Sequence, residues 1–238
     1  MKNNQAPSFR HELKFDISEA ERRILGKRLE MCLQRDFHAA GGMYMIRSLY
    51  FDDRWESAYT EKLSGVESRK KYRIRIYDCQ DSVIKLEQKR KEGQYIQKVS
   101  VPLCREETEK LLNGDVAFLR ERPERLCQDF YREWIEHQMR PAVIVDYERE
   151  AFVYPYGDVR ITFDSRVRAG MLSEDLFDTK LPTAELMAPD RLIMEVKFTE
   201  YLPELVKDLL PAADSDYVAY SKYTMCLEKR KELSGIFR

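Results

Sequence analysis

Ser68-Arg69-Lys70-Lys71-Tyr72-Arg73-Ile74-Arg75-Ile76-Tyr77 alternates cations with large apolar residues, and Val83-Ile84-Lys85-Leu86-Glu87-Gln88-Lys89-Arg90 repeats the habit after the break Asp78 to Ser82. In a β-strand, residues two apart share a face. Lys71, Arg73 and Arg75 therefore line one face and Tyr72, Ile74 and Ile76 the other. In the second strand Lys85, Glu87 and Lys89 oppose Ile84 and Leu86. A third strand, Tyr95 to Val101, follows Glu92-Gly93, with Gln94, Ile96 and Lys98 in one register. The breaks are short enough for a meander of hairpins.

The pattern recurs outward from this meander. Further strands are expected at Phe9 to Phe15, Tyr44 to Phe51, Ala142 to Phe152, Val159 to Phe163 and Leu192 to Phe198. E-x-K triplets stand at Glu12-Leu13-Lys14, Glu87-Gln88-Lys89 and Glu195-Val196-Lys197, and Met194, Val196 and Phe198 lie opposite the last pair. Arg160 alternates with Val159 and Ile161, and Tyr147 shares a face with Arg149. Between the strands, Ser18 and Glu21 form a capping box before a stripe of Ile24, Leu25, Leu29, Cys32 and Leu33. Asp53 is expected to cap a short helix through Trp55 and Tyr59, ending at Ser64-Gly65. Helices are also expected at Glu106 to Leu112, at Val116 to Met139 with a restart at Pro123, from Pro203, and at Tyr217 to Glu232. About eight mostly antiparallel strands with inserted helices imply an α+β fold on a closed or strongly curved sheet. No linker or low-complexity tract divides residues 1–238, so one domain is the simplest organisation.

Composition narrows the functional classes. Among 238 residues, 41 Lys and Arg face 42 Asp and Glu, for a net charge of -1. Bulk charge thus argues for no nucleic-acid partner, and any basic surface must come from local clustering. The five cysteines, Cys32, Cys79, Cys104, Cys127 and Cys226, are odd in number and lack C-x-x-C, which suits reduced thiols in a cytoplasmic protein. No leader-like apolar region opens the chain, and no stretch approaches the ~20 apolar residues of a membrane span. His11, His38 and His137 have no metal-ligand spacing, and neither a P-loop nor a dinucleotide-binding glycine motif occurs. Tyr44, Tyr50, Phe51, Trp55 and Tyr59 are expected in the core.

The charged faces admit two readings. Half-buried strands commonly carry Lys, Arg and Glu on a solvated face, and each strand taken singly fits that description. As a set they fit better as the inside of a cationic tunnel, because the apolar residues already supply a core on the opposite face. Cations about 5–7 Å apart repel by several kcal/mol at intermediate dielectric unless an anion neutralises them. A phosphate chain suits that role, since Arg binds its oxygens bidentately and Lys as a point charge. Carboxylates among the cations would hold Mg2+ or Mn2+.

The ordered motifs resemble VTC-type polyphosphate polymerase domains of the triphosphate tunnel metalloenzyme (CYTH-like) superfamily. They are Phe9-Arg10-His11-Glu12-Leu13-Lys14-Phe15, Arg47-Ser48-Leu49-Tyr50-Phe51-Asp52-Asp53, Lys71-x-Arg73-x-Arg75 and Lys85-Leu86-Glu87-Gln88-Lys89. Tyr147-Glu148-Arg149, Val159-Arg160-Ile161-Thr162-Phe163-Asp164, Met194-Glu195-Val196-Lys197-Phe198 and Tyr220-Ser221-Lys222-Tyr223 follow, so the resemblance spans a core of about 9–228. It implies an antiparallel β-barrel tunnel with flanking helices, and transfer of the ATP γ-phosphate to a growing polyphosphate chain with Mn2+ or Mg2+ bound. Carried over by position, the phosphate ligands are Lys14, Arg73, Arg75, Lys85, Lys98, Arg149, Arg160, Lys197 and Lys222, with hydroxyl contacts from Tyr147 and Ser221. Catalysis would rest on Arg73, Arg75, Arg149, Arg160 and Glu195, and Glu195 would hold the metal. Glu12 and Glu87 are open between binding and the fixing of neighbouring Lys and Arg, and Lys89 is a further candidate beside them.

One position departs from the family pattern. A further basic residue often stands two positions before the serine of the last motif, where this chain has Ala219. The expected partners are ATP and polyphosphate. With no SPX-like segment before the tunnel and no membrane helix after it, any product channel or regulator is expected as a separate membrane or regulatory protein. A metal-dependent triphosphatase and a non-catalytic polyphosphate-binding module remain alternatives from the sequence.

Overall fold

The computed structural model describes residues 10–36, 42–93, 95–171, 173–211 and 218–235. Its strands are β1 (His11–Ser18), β2 (Gln34–Arg35), β3 (Tyr44–Asp52), β4 (Ser68–Tyr77), β5 (Gln80–Glu92), β6 (Tyr95–Leu103), β7 (Arg140–Tyr154), β8 (Val159–Gly170), β9 (Thr183–Glu185) and β10 (Arg191–Phe198). Its helices are α1 (Glu19–Cys32), α2 (Ser57–Leu63), α3 (Arg105–Leu112), α4 (Ala117–Glu121), α5 (Arg125–Glu136), α6 (Glu204–Leu209) and α7 (Lys222–Leu233).

All pairings are antiparallel, in the order β1-β10-β8-β7-β3-β4-β5-β6, with β2 added on β7 and β9 on β8. The eight-strand path matches the expectation from sequence, and the two short strands add to it. The expected meander is β4-β5-β6. Its first turn tightens to Asp78 and Cys79, both at positive φ, the backbone of a two-residue hairpin whose twist matches its strands.

The sheet is curled rather than closed, the strongly curved form of the two that the sequence allowed. Its end strands β1 and β6 meet at one bridge, where Arg10 N donates to Ile96 O at 3.4 Å. Beside the bridge the His11 ring stacks on Phe198 at 5.1 Å and lies 6.2 Å from Tyr95. Strand twist supplies the curl, sharpened by register shifts at Tyr50/Phe51, Arg75/Tyr77 and Asp146/Glu148, since such irregularities bend a strand locally.

Apolar strand faces decide which way the charges point. Tyr72, Ile74, Ile76, Ile84 and Leu86 pack under α3, α4 and α5 through Leu111, Leu119, Phe130 and Trp134. Phe15, Ile17, Ile161, Phe163, Met194 and Val196 pack under α1 and α6 through Leu25, Leu29 and Val206. Helices thus cover the outer face on two sides, and the opposite, charged face turns inward. Part of that interior is filled by Tyr223, Cys226 and Leu227 of α7 against Ile46, Val143, Val145 and Ile193.

Local signals hold at several ends. Ser18 Oγ accepts from Glu21 N at 3.2 Å while Ser18 N donates to Glu21 at 2.7 Å. Asp53 accepts from Trp55 N and Ser57 N, and Asp52 from Ala58 N and Tyr59 N, so two adjacent carboxylates cap the entry to α2. Three expectations need correction. Ile24 is 55% exposed and Trp55 64% exposed, so neither is core. The closing helix begins at Lys222, with Ser221 as its cap. Phe9, His38, Gln94 and Tyr217 lie outside the described residues.

Candidate active site

Strand register brings the charged residues into one wall. Arg73 pairs with Glu87, Arg75 with Lys85, Lys71 with Lys89, and Lys89 with Lys98. Across the sheet Arg149 pairs with Asp164, Lys197 with Arg160, Lys14 with Glu195 and Glu12 with Lys197. Every residue expected from sequence as a phosphate or metal ligand is on this inner register or, for Ser221 and Lys222, at the start of α7.

The most enclosed part centres on two carboxylates. Asp164 is fully buried and accepts both guanidinium arms of Arg149 at 2.6 Å, while its Oδ2 also meets Lys222 Nζ at 2.6 Å. Glu195 accepts Lys222 on Oε1 at 2.7 Å and Lys197 on Oε2 at 2.6 Å, with Lys14 and Arg149 each at 3.7 Å. The Tyr147 ring lies under both Arg149 and Lys222, at 5.1 and 4.9 Å from ring centre to cation. Lys14 also donates to Tyr220 O at 2.8 Å, tying β1 to the entry of α7.

Glu87 organises the neighbouring strands. It takes Arg73 at 2.7 Å and Lys98 at 2.9 Å, with Arg75 Nε at 3.7 Å. Arg73 also donates to Tyr50 OH at 2.7 Å, and Arg75 to Tyr147 OH at 3.4 Å. The buried Nε of Arg75 has no hydrogen-bond partner among the described residues, which leaves it a donor directed by the wall. Glu12 bridges Lys14 at 3.2 Å and Lys89 at 2.8 Å. Arg160 donates to Tyr44 OH at 3.2 Å and pairs with Asp36. Lys85, half-buried beside Arg75, forms no ion pair among the described residues. The roles left open for Glu12 and Glu87 thus gain a geometry: each fixes two or more cations.

This network sets the protonation states. Burial works against charge on Glu12, Glu87, Asp164 and Glu195, yet the surrounding Lys and Arg outweigh it and hold all four below the usual carboxylate range. Burial alone would lower Lys222, but Asp164 and Glu195 raise it above the ordinary lysine value. Lys89 and Lys98 go the other way: burial lowers each to about 8 despite Glu12 and Glu87. Burial would raise the Tyr147 phenol, but Arg149 and Arg75 lower it overall.

No three Asp, Glu, His or Cys converge as a preformed metal cage among the described residues. Glu195 nevertheless fits a metal of the Mg2+ type. Such ions take one or two protein carboxylates and draw their remaining ligands from water and phosphate oxygens. Its Oε2 is held by the more exposed of its two close lysines, Lys197, which can turn to an incoming anion.

Sequence reasoning missed Asp164, Asp36, Tyr44 and Tyr50 as parts of the wall, and placed Lys71 on the charged face without a ligand's role. Asp164 stood inside a quoted motif, but only strand pairing shows that it shares Arg149 and Lys222 with Glu195. Tyr44 and Tyr50 pack against the core as expected, and their hydroxyls also hold Arg160 and Arg73.

A comparison with curated proteins finds no match to this sequence. Solved structures with a similar fold include a putative adenylyl cyclase from Hippeastrum, described as having a dominant triphosphatase activity. It is 14% identical with a TM-score of 0.56 over 94% of this chain and 96% of that one. A putative adenylate cyclase from Bacillus halodurans is 13% identical, with a TM-score of 0.51 over 82% of this chain and 83% of that one. At these identities the likeness is one of fold. The VTC domain family matches residues 9–230, nearly the whole chain and all of the wall described above, and this protein belongs to that family.

Proposed function

We propose that the chain is a polyphosphate polymerase that moves the γ-phosphate of ATP onto the end of an inorganic polyphosphate chain inside the cationic interior. Support comes from family membership and from one observation about the carboxylates. Glu12 and Glu87, the groups suited to orient a water molecule, have their oxygens engaged by Lys14, Lys89, Arg73 and Lys98, and both are held below the usual carboxylate range. Such groups are poor bases for water. The terminal phosphate of a polyphosphate is already ionised and needs no base, so the wall suits that acceptor better than hydrolysis.

In this reading the protein contributes position and charge, the main demands of phosphoryl transfer. Arg73 and Arg75 approach the transferred phosphate from β4, and Arg149 and Lys222 approach it from the facing wall. Asp164 keeps Arg149 and Lys222 in place without competing for a proton. Lys14, Lys197 and Arg160 neutralise the phosphates on either side. Mn2+ or Mg2+ held by Glu195 supplies further neutralisation of triphosphate oxygens when bound. The attacking oxygen of the acceptor forms the new P–O bond, the bond to the β-phosphate breaks, and ADP leaves.

The test is incubation with ATP and Mn2+, followed by gel separation and staining for polyphosphate. Lengthening chains with matching ADP release are expected. Free phosphate without chains would replace this reading with the triphosphatase, and binding of polyphosphate without turnover would leave the non-catalytic module.

A further inference from the structure

Lys71 differs from most cations of the wall. It sits on the inner register opposite Lys89, and its ammonium meets neutral groups: Ser221 Oγ at 3.1 Å and the Tyr223 ring at 4.8 Å. Arg73, Arg149, Lys14 and Lys222 each hold a carboxylate, whereas Lys71 holds none among the described residues. Its charged neighbours are cationic: Lys14 from β1, Lys62 from α2, Arg69 from its own strand and Lys89 from β5 all act against its charge. Glu12 answers Lys14 and Lys89 but does not reach Lys71.

The start of α7 adds donors at the same place. Ser221 caps this twelve-residue helix and accepts from Thr224 N. The Thr224 hydroxyl, buried in the first turn, has no hydrogen-bond partner among the described residues. A helix start favours an anion through its free N–H groups and dipole. Here it comes with an uncompensated lysine and an unused hydroxyl. Lys62 forms no ion pair among the described residues, and Arg69, which donates to Val66 O at 2.6 Å, is paired by strand register with Lys91. Arg69 and Lys91 continue the inner register of β4 and β5 away from Arg73 and Glu87.

We propose that Lys71, with Ser221 and Thr224 and flanked by Lys62 and Arg69, is a separate phosphate seat for anions longer than a triphosphate, so that it selects a polyphosphate chain over a short one. The proposal rests on the reading of the interior as a phosphate site. Burial and the surrounding cations lower Lys71 to about 7. An anion bound there restores its proton, so occupancy of this seat draws a proton from solution at pH 8.

The experiment uses the full chain and two probes, tripolyphosphate and long-chain inorganic polyphosphate, titrated calorimetrically at pH 8 in two buffers of different ionisation heat. Lys71→Met should weaken long-chain binding about tenfold or more, the size of one charge-assisted hydrogen bond, and remove about one proton of uptake. It should leave tripolyphosphate within about threefold, and Lys71→Arg should restore long-chain affinity. Equal losses for both probes would merge Lys71 with the central site and overturn the proposal. Unchanged long-chain affinity in Lys71→Met would overturn it as well. Failure of the unaltered protein to bind either probe would instead remove the underlying reading of the interior.

Discussion

Asp164 offers the sharpest test of how this interior is held together. Replacing it by Asn keeps its shape and removes its charge from between Arg149 and Lys222, each of which it meets at 2.6 Å in a fully buried setting. Removing one partner of a buried pair costs about 3–5 kcal/mol. Glu195 still reaches Lys222 at 2.7 Å and Arg149 at 3.7 Å, so the low end, about 3 kcal/mol, is the expected loss. For a chain of this size that corresponds to a fall in Tm of about 6–12 °C. The assay is thermal unfolding followed by circular dichroism, with and without tripolyphosphate. A ligand at 100 times its Kd stabilises a folded protein by about 2.7 kcal/mol. In Asp164→Asn it should do more, because its oxygens take the place of the missing carboxylate. The gap between variant and parent should therefore narrow when the ligand is present. A fall of less than about 2 °C, or a gap that the anion leaves unchanged, would refute the picture of Asp164 as the internal stand-in for phosphate charge.

Glu195→Gln should lower turnover by about 100-fold or more, the scale on which loss of one electrostatic contact to a transition state is felt, with an unchanged circular dichroism spectrum; undiminished turnover would end its assignment as metal holder. Affinity for long-chain polyphosphate, whose internal phosphates stay ionised, should fall between pH 7 and pH 9. Burial holds Lys89 and Lys98 at about 8, a bound anion raises both, and binding above that pH must take up protons; a flat calorimetric profile would contradict this. Gly170→Ala would place a Cβ 2.7 Å from Ile144 Cβ and 3.0 Å from Leu181. Overpacking of that kind costs about 1–3 kcal/mol, to be read as a lower urea midpoint, and an unmoved midpoint would mean that the end of β8 shifts freely.

Local alternation made the meander legible: β4 runs from Ser68 to Tyr77 as its pattern predicts, because each apolar residue has a helix to meet outside the sheet. Where long-range contact decides, the sequence misleads. Val218-Ala219-Tyr220 suits a helix by residue type, yet Val218 N donates to Lys14 O on β1 and Lys14 reaches Tyr220 O, so the helix waits for Ser221. Trp55 reads as core by its size but falls in the turn before α2, where Glu56 takes a positive φ, and it stays exposed. The charged candidates were found because period two is a local property. Their partners were not, because Asp164 meets Arg149 only through the register of β7 with β8, and Lys222 through the docking of α7.

The same register explains how a cationic interior survives without its ligand. Eight cations of the wall, Lys14, Arg73, Lys89, Lys98, Arg149, Lys197, Lys222 and Arg75, lie against Glu12, Glu87, Asp164 or Glu195. On the proposed reading an entering phosphate chain would compete with carboxylates already in place, and its affinity would be a difference between two sets of charge-assisted contacts. A single phosphate gains little from that exchange. A chain that engages many cations at once repeats the gain at each position and loses its freedom only once. On the proposed reading the carboxylates would thus do two things together: they balance the cations of the interior, and they tilt it toward long polyanions over short ones.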